Sequence, residues 1–119
     1  MYDPSTTAQG LFAEALVLKH LQAQGLRLVT QNYRLKVGEI DLIMRDGETL
    51  VFVEVRAREN FDEIHPFETV TKAKQGRIIS TAKHYLWTHD LLDTCPCRFD
   101  VVAVNLSSLA IDWLTDAFV

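Results

Sequence analysis

The chain has 119 residues, enough for a single domain spanning 1–119 with a core of its own, and its 48% hydrophobic and 24% charged content is that of an ordinary globular protein. No apolar run approaches the roughly 20 residues of a membrane span, and Met1 to Gly10 lacks the basic and apolar regions of a signal peptide, so a cytoplasmic location without a membrane partner is expected. A net charge of −4 argues against a protein that coats nucleic acid through bulk charge.

Asp3-Pro4 reads as a helix start, with Ala8 to Gln24 continuing as a helix former and Gly25 ending it. Leu26 to Leu35 reads as a first strand, irregular near Asn32. Gly38 to Arg45 and Glu48 to Ala57 form a hairpin around Asp46-Gly47, a strong two-residue turn signal between alternating apolar runs. Arg58 to Glu68 lacks periodicity and reads as a mobile loop. A second helix is expected from about Thr71 to Asp90, capped by Thr69 or Thr71, then a turn at Cys95-Pro96-Cys97, a valine-rich strand from Arg98 to Asn105 and, from Ala110 to Phe118, a final strand or a short mixed segment. With no second Cys or His pair at ligand spacing, the two cysteines read as free thiols. The order α-β-β-β-α-β-β implies an α/β fold, a mixed central sheet flanked by helices, in which the strand after the second helix lies parallel to Glu48 to Ala57 through a crossover.

The hairpin carries acids. With Asp46 and Gly47 as the loop, Arg45 faces Glu48, Asp41 faces Phe52 and Glu39 faces Glu54, which makes Asp41 and Glu54 diagonal neighbours about 7 Å apart on one face. Arg56 points from the same face. Carboxylates on a hairpin usually lie on its solvated side, with arginines as cross-strand partners. Here Ile43, Leu50 and Phe52 share their face, and Ile40, Leu42, Met44, Val51, Val53 and Val55 make the other one apolar. Both faces are therefore expected to be covered, and carboxylates inside a covered sheet must be paired, protonated or bound to a cation.

Each helix places a polar residue on an apolar stripe. Leu11, Ala15, Leu18 and Leu21 share one side of the first helix, and Glu14 falls among them, either reaching past the stripe to water or facing something it can bind. On the second helix, Gln75 lies in line with Ile78, Ile79, Ala82, Tyr85 and Leu86, with Lys72 and Lys74 beside it in the first turn. Exposed amides and lysines there suit a phosphate or a plain solvated cap. From Ala15 to Gly38 there are four Lys/Arg residues and no acid, and the same holds from Thr69 to His89. Such segregation permits a basic groove around an acidic centre.

An acid on an early helix, an Asp on one strand and Glu-x-Lys on the next resembles the PD-(D/E)xK nuclease superfamily, with Glu14, Asp41, Glu54 and Arg56 in the corresponding places. Asn32-Tyr33-Arg34, Gly38 to Ile43, Phe52 to Arg58, Thr71-Lys72, Tyr85-Leu86 and Arg98-Phe99-Asp100-Val101-Val102 look like the small bacterial YraN-type family, whose members are described as endonucleases with a fold like archaeal Holliday-junction resolvases. The resemblance implies a restriction endonuclease-like fold and hydrolysis of phosphodiester bonds in DNA, branched DNA included. It also implies Mg²⁺ or Mn²⁺ on Asp41 and Glu54 with the Val55 carbonyl, Glu14 completing the site, and nucleic acid held by Arg34, Lys36, Arg58, Lys72, Lys74 and Gln75. Resolvase-like relatives act as dimers, so a homodimer is compatible with it, although no segment marks a dimer surface. The superfamily's lysine is Arg56 here, which cannot lose its proton to act as a base; it could stabilise developing charge, or Lys72 or Lys74 could reach in. Two other readings stay open: a nucleic-acid-binding module without chemistry, and a scaffold whose acids form structural salt bridges.

Overall fold

The computed structural model describes residues 7–119, so the expected cap at Asp3 lies outside the described residues. Helix α1 spans Ala8–Ala23 and starts at Thr7, whose hydroxyl accepts from the Gly10 amide at 3.0 Å. Strands β1 (Arg27–Arg34), β2 (Glu39–Asp46) and β3 (Thr49–Arg58) follow. Pro66–Thr69 forms a short 3-10 helix, α2 spans Lys72–Thr88 with Thr71 as its cap, and β4 (Cys97–Asn105) and β5 (Ile111–Phe118) complete the chain. The 3-10 turn corrects the end of the segment expected to be loop. His65 and Glu68 close a capping box there, each satisfying an amide that would otherwise be orphaned.

The sheet has five strands in sequence order, β1 to β5, antiparallel except for the parallel pair β3/β4 on either side of α2. This is the expected α-β-β-β-α-β-β mixed sheet. Both faces are covered. Ala13, Val17 and Leu21 of α1 pack on Leu42, Met44, Val51, Val53, Val102 and Val104. Ile78, Ala82, Tyr85 and Leu86 of α2 pack on Ile43, Leu50, Phe52 and Val101. Each such large side chain, once fully buried, contributes roughly 1.5–3 kcal/mol relative to exposure, so the two interfaces fix both helices against the sheet.

Three details of the sequence reading are corrected. The stripe of α1 is Ala13, Glu14, Val17 and Leu21, whereas Leu11 is 52% exposed. Its apolar side is thus rotated from the one expected, with Glu14 still on it. Ile40 belongs to the α2 side of the core with Ile43, not to the side of Leu42. The hairpin register is displaced by two residues: Asp46 pairs with Thr49 and Leu42 with Val53, leaving Gly47 and Glu48 as the loop. Gly47 takes the first central position at φ 61°, where a two-residue turn favours glycine. Asp46 stays in the strand, its carboxylate held by Arg98 at 2.9 Å.

The β1–β2 connection presses against α2. A Cβ on Gly38 would meet Thr81 Oγ1 at 2.9 Å and the Arg77 carbonyl at 3.1 Å, both fixed by the hydrogen bond between them. Gly38→Ala is therefore expected to push α2 away from β2 and to destabilise the fold by about 1–3 kcal/mol, measured as a lower urea midpoint with an unchanged slope.

Candidate functional site

The β2/β3 ladder stops at Leu42↔Val53. Beyond it the Val55 amide, which would otherwise lose its partner, donates to Asp41 Oδ2 at 2.7 Å. A side-chain carboxylate has replaced a ladder carbonyl. One further step of the observed register puts Asp41 directly opposite Glu54, closer than the diagonal placement expected, and the two carboxyls act on each other there.

A cleft of about 510 Å³ opens at this end of the sheet. Glu14 reaches it from α1, Asp41 and Glu54 from the parted strands, and Lys74 and Arg77 from α2; Arg56 and Arg58 line it as well. Four cationic side chains thus surround the carboxylates. Of the other residues expected to bind nucleic acid, Arg34 pairs with Glu39 at 2.9 Å, Lys36 and Lys72 are exposed outside the lining, and Gln75 donates to the Val70 carbonyl at 3.1 Å. Gln75 therefore fastens the entry to α2 rather than facing the acids. Arg77, three residues beyond Lys74 on the same helical face, was legible by spacing but not singled out from the sequence.

The carboxylates are strained electrostatically. Asp41 is 6% exposed and Glu14 5% exposed. Burial pushes the Asp41 carboxyl well above the usual carboxylate range, and the charge of Glu54 and its capacity to accept a hydrogen bond from protonated Asp41 add to this; the Val55 amide opposes. Burial also raises Glu14, reinforced by Glu39 and Glu54 and opposed by its hydrogen bond from Asn32 and by Arg34. Burial and the neighbouring charge of Glu54 therefore favour a protonated Asp41 unless a cation takes the proton's place.

The cations are placed differently from one another. Arg56 Nε donates to Thr69 Oγ1 at 2.9 Å, and its other arm lies 3.4 Å from Glu54 Oε2, so the guanidinium is braced between the 3-10 turn and the acidic pair. Lys74 has no such brace among the described residues and lines the cleft half-buried. Burial first, then Arg56 and Arg77, lower its pKa against the opposing pull of Glu54.

The donor set fits a hard divalent cation. Carboxylate oxygens are what Mg²⁺ and Mn²⁺ prefer, and Glu14 Oε1 is buried without a hydrogen-bond partner. Among the described residues no three His, Cys, Asp or Glu side chains are grouped so that they could hold one ion together. Mg²⁺ does not require such a group: it is commonly held by one or two carboxylates together with waters and substrate phosphate.

A family model described as "Uncharacterised protein family UPF0102" matches residues 13–104, a span that contains Glu14, Asp41, Glu54, Arg56 and Lys74. The chain belongs to the UPF0102 family. This UPF0102 chain is 50% identical over 114 residues to a UPF0102 protein of Psychromonas ingrahamii, covering 96% of the chain and 92% of that relative. It is 51% identical over 108 residues to one from Coxiella burnetii, covering 91% and 89%. A Legionella pneumophila relative is 45% identical over 113 residues, covering 95% and 96%. These UPF0102 relatives match the chain over nearly their whole lengths. No helix among the described residues is long and apolar enough to cross a membrane.

Proposed function

We propose that the cleft is the active site of a metal-dependent endonuclease that hydrolyses phosphodiester bonds in DNA, branched DNA included. The observation that carries this reading is the meeting, at one break in the sheet, of three buried or half-buried carboxylates with four cationic side chains. The element order and the placement of the acids, which resemble the PD-(D/E)xK nucleases, support it.

Asp41 and Glu54 would hold Mg²⁺ or Mn²⁺, with Glu14 beside them. Such an ion, when bound, polarises a phosphoryl oxygen and makes a water nucleophilic at neutral pH. The chain's own groups do the rest. Arg56, braced by Thr69 and Glu54, offers a fixed positive charge to a non-bridging phosphate oxygen and to the charge that develops there. Lys74, with its pKa lowered, can accept a proton that Arg56 cannot. It takes the role for which the sequence offered both Lys72 and Lys74, because Lys72 stands outside the cleft. Arg58 and Arg77 line the walls, where they neutralise phosphates on either side of the scissile one.

Cleavage of linear, flapped and four-way DNA substrates in Mg²⁺ or Mn²⁺ tests the reading. Lys74→Met is expected to lower kcat by about 10²–10³-fold while leaving Mn²⁺ affinity within a few fold. Cleavage unchanged by Lys74→Met would remove the lysine from the mechanism. The fixed charge of Arg56 favours a second reading, a binding module without chemistry. It predicts salt-sensitive DNA binding that survives Asp41→Asn, with no cleavage in any metal.

A further inference from the structure

Asn32 is the least explained residue near the cleft. It stands in β1 in the left-handed region, at φ 52°, a conformation that asparagine tolerates better than most residues. Its carboxamide interacts with Glu14 from strand to helix and opposes the burial that raises that carboxyl. A carboxamide favours a carboxylate through its amide nitrogen, the donor end of the side chain. Two acceptors are left over. Among the described residues, Glu14 Oε1 and Asn32 Oδ1 are the buried side-chain atoms that lack any hydrogen-bond partner. They belong to the two side chains that touch each other.

A pair of adjacent buried oxygens without donors is unfavourable, since each leaves a desolvated acceptor uncompensated. No described residue donates to either oxygen. The complement they call for is a cation or the water molecules that a small divalent cation keeps, whose hydrogens point outward and whose charge strengthens each bond. A hydrated ion on Asp41 and Glu54 provides both.

We propose that Asn32 is a positioning residue of the metal site: its amide aims Glu14, and its own Oδ1 joins Glu14 Oε1 in accepting hydrogen bonds from the waters of a divalent cation. This rests on the metal reading of the cleft. Outer partners of metal ligands commonly alter affinity about 10- to 100-fold.

Calorimetric titration with Mn²⁺ alone provides the test, using the whole chain. Asn32→Gly keeps the left-handed backbone without strain and removes the carboxamide. It is expected to weaken Mn²⁺ binding about 10- to 100-fold while circular dichroism stays that of the wild type. Asn32→Asp removes the donor to Glu14 and adds a charge that a cation relieves. Its Mn²⁺-induced rise in Tm should exceed that of the wild type, whereas a purely structural role would lower Tm equally with and without Mn²⁺. Wild-type affinity in a folded Asn32→Gly protein, with binding still lost in Asp41→Asn, would overturn the role of Asn32 and leave the metal site standing. No Mn²⁺ binding by the wild type at millimolar concentration would overturn both.

Discussion

Asp41→Asn is expected to make the metal-free protein more stable and to abolish metal-dependent cleavage. The asparagine carbonyl can still accept from the Val55 amide, which Asp41 Oδ2 holds at 2.7 Å. Its amide can donate to Glu54, a bond that the acid makes only by retaining a proton. The substitution thus preserves both hydrogen bonds and removes the ionisation that burial and Glu54 oppose. A gain on the order of 1 kcal/mol, roughly 3–6 °C in Tm, should follow at neutral pH. Cleavage should fall by about 10³-fold or more, because the cation loses a carboxylate ligand.

The same linkage fixes the sign of the pH dependence. Burial raises both the Asp41 and the Glu14 carboxyl above their ordinary values. In the window above those values the folded state binds more protons than the unfolded one. Stability is then fully present below the unfolded pKa values and is lost as pH rises through the folded ones. Metal-free wild type should lose Tm on going up through this window, Asp41→Asn should lose less, and Mg²⁺ should restore the wild type at neutral pH by binding only the folded chain. A Tm that falls in Asp41→Asn at neutral pH would mean that Asp41 is a structural acid.

Asp100 supplies that contrast. It is completely buried in β4, and every direction around its carboxylate is occupied. Arg98 Nε donates to both oxygens at 3.0 and 3.2 Å, Trp113 Nε1 to one at 2.9 Å and the Asp116 amide to the other at 3.0 Å. The register of β4 and β5 shifts between Phe99 and Val101, and Asp116 sits at φ 52°, so the carboxylate mends the ladder where β5 bends away. Asp100→Ala leaves Arg98 with Asp46 alone and strands an indole and a backbone amide. It should destabilise by about 3–5 kcal/mol and lower Tm by more than about 10 °C, at all metal concentrations. Removal of one buried acid should therefore stabilise and removal of another should cripple the fold. The difference lies in whether the protein itself supplies the donors.

Much of this was legible in the residues. The apolar alternation of Leu42, Met44, Val51 and Val53 set the strands, Asp46-Gly47 marked the turn, and the order of helices and strands implied the parallel β3/β4 pair. Asp41 and Glu54 were paired on paper despite a register two residues out, because a shift of two keeps every side chain on its face. The break in the ladder was not legible: it depends on the Val55 amide preferring Asp41 over a backbone carbonyl, a tertiary competition with no local signature. For the same reason Ile40 was assigned to the wrong face. Glu14 was found as a charge on a stripe, although the stripe was rotated, since Leu11 and Ala15 are apolar yet exposed. Asn32 stood out only as an irregularity. Its left-handed backbone and its contact with Glu14 need the strand and the helix together in space.

The most direct test of the central claim is a crystal soaked in Mn²⁺ and examined by anomalous scattering at the manganese edge. The account predicts a single strong peak in the cleft, about 2.1 Å from carboxylate oxygens of Asp41 and Glu54, with Glu14 and Asn32 facing its waters, and no such peak in Asp41→Asn. Ordered crystals that take up manganese elsewhere, or not at all, with the Asp41–Glu54 hydrogen bond intact, would contradict it.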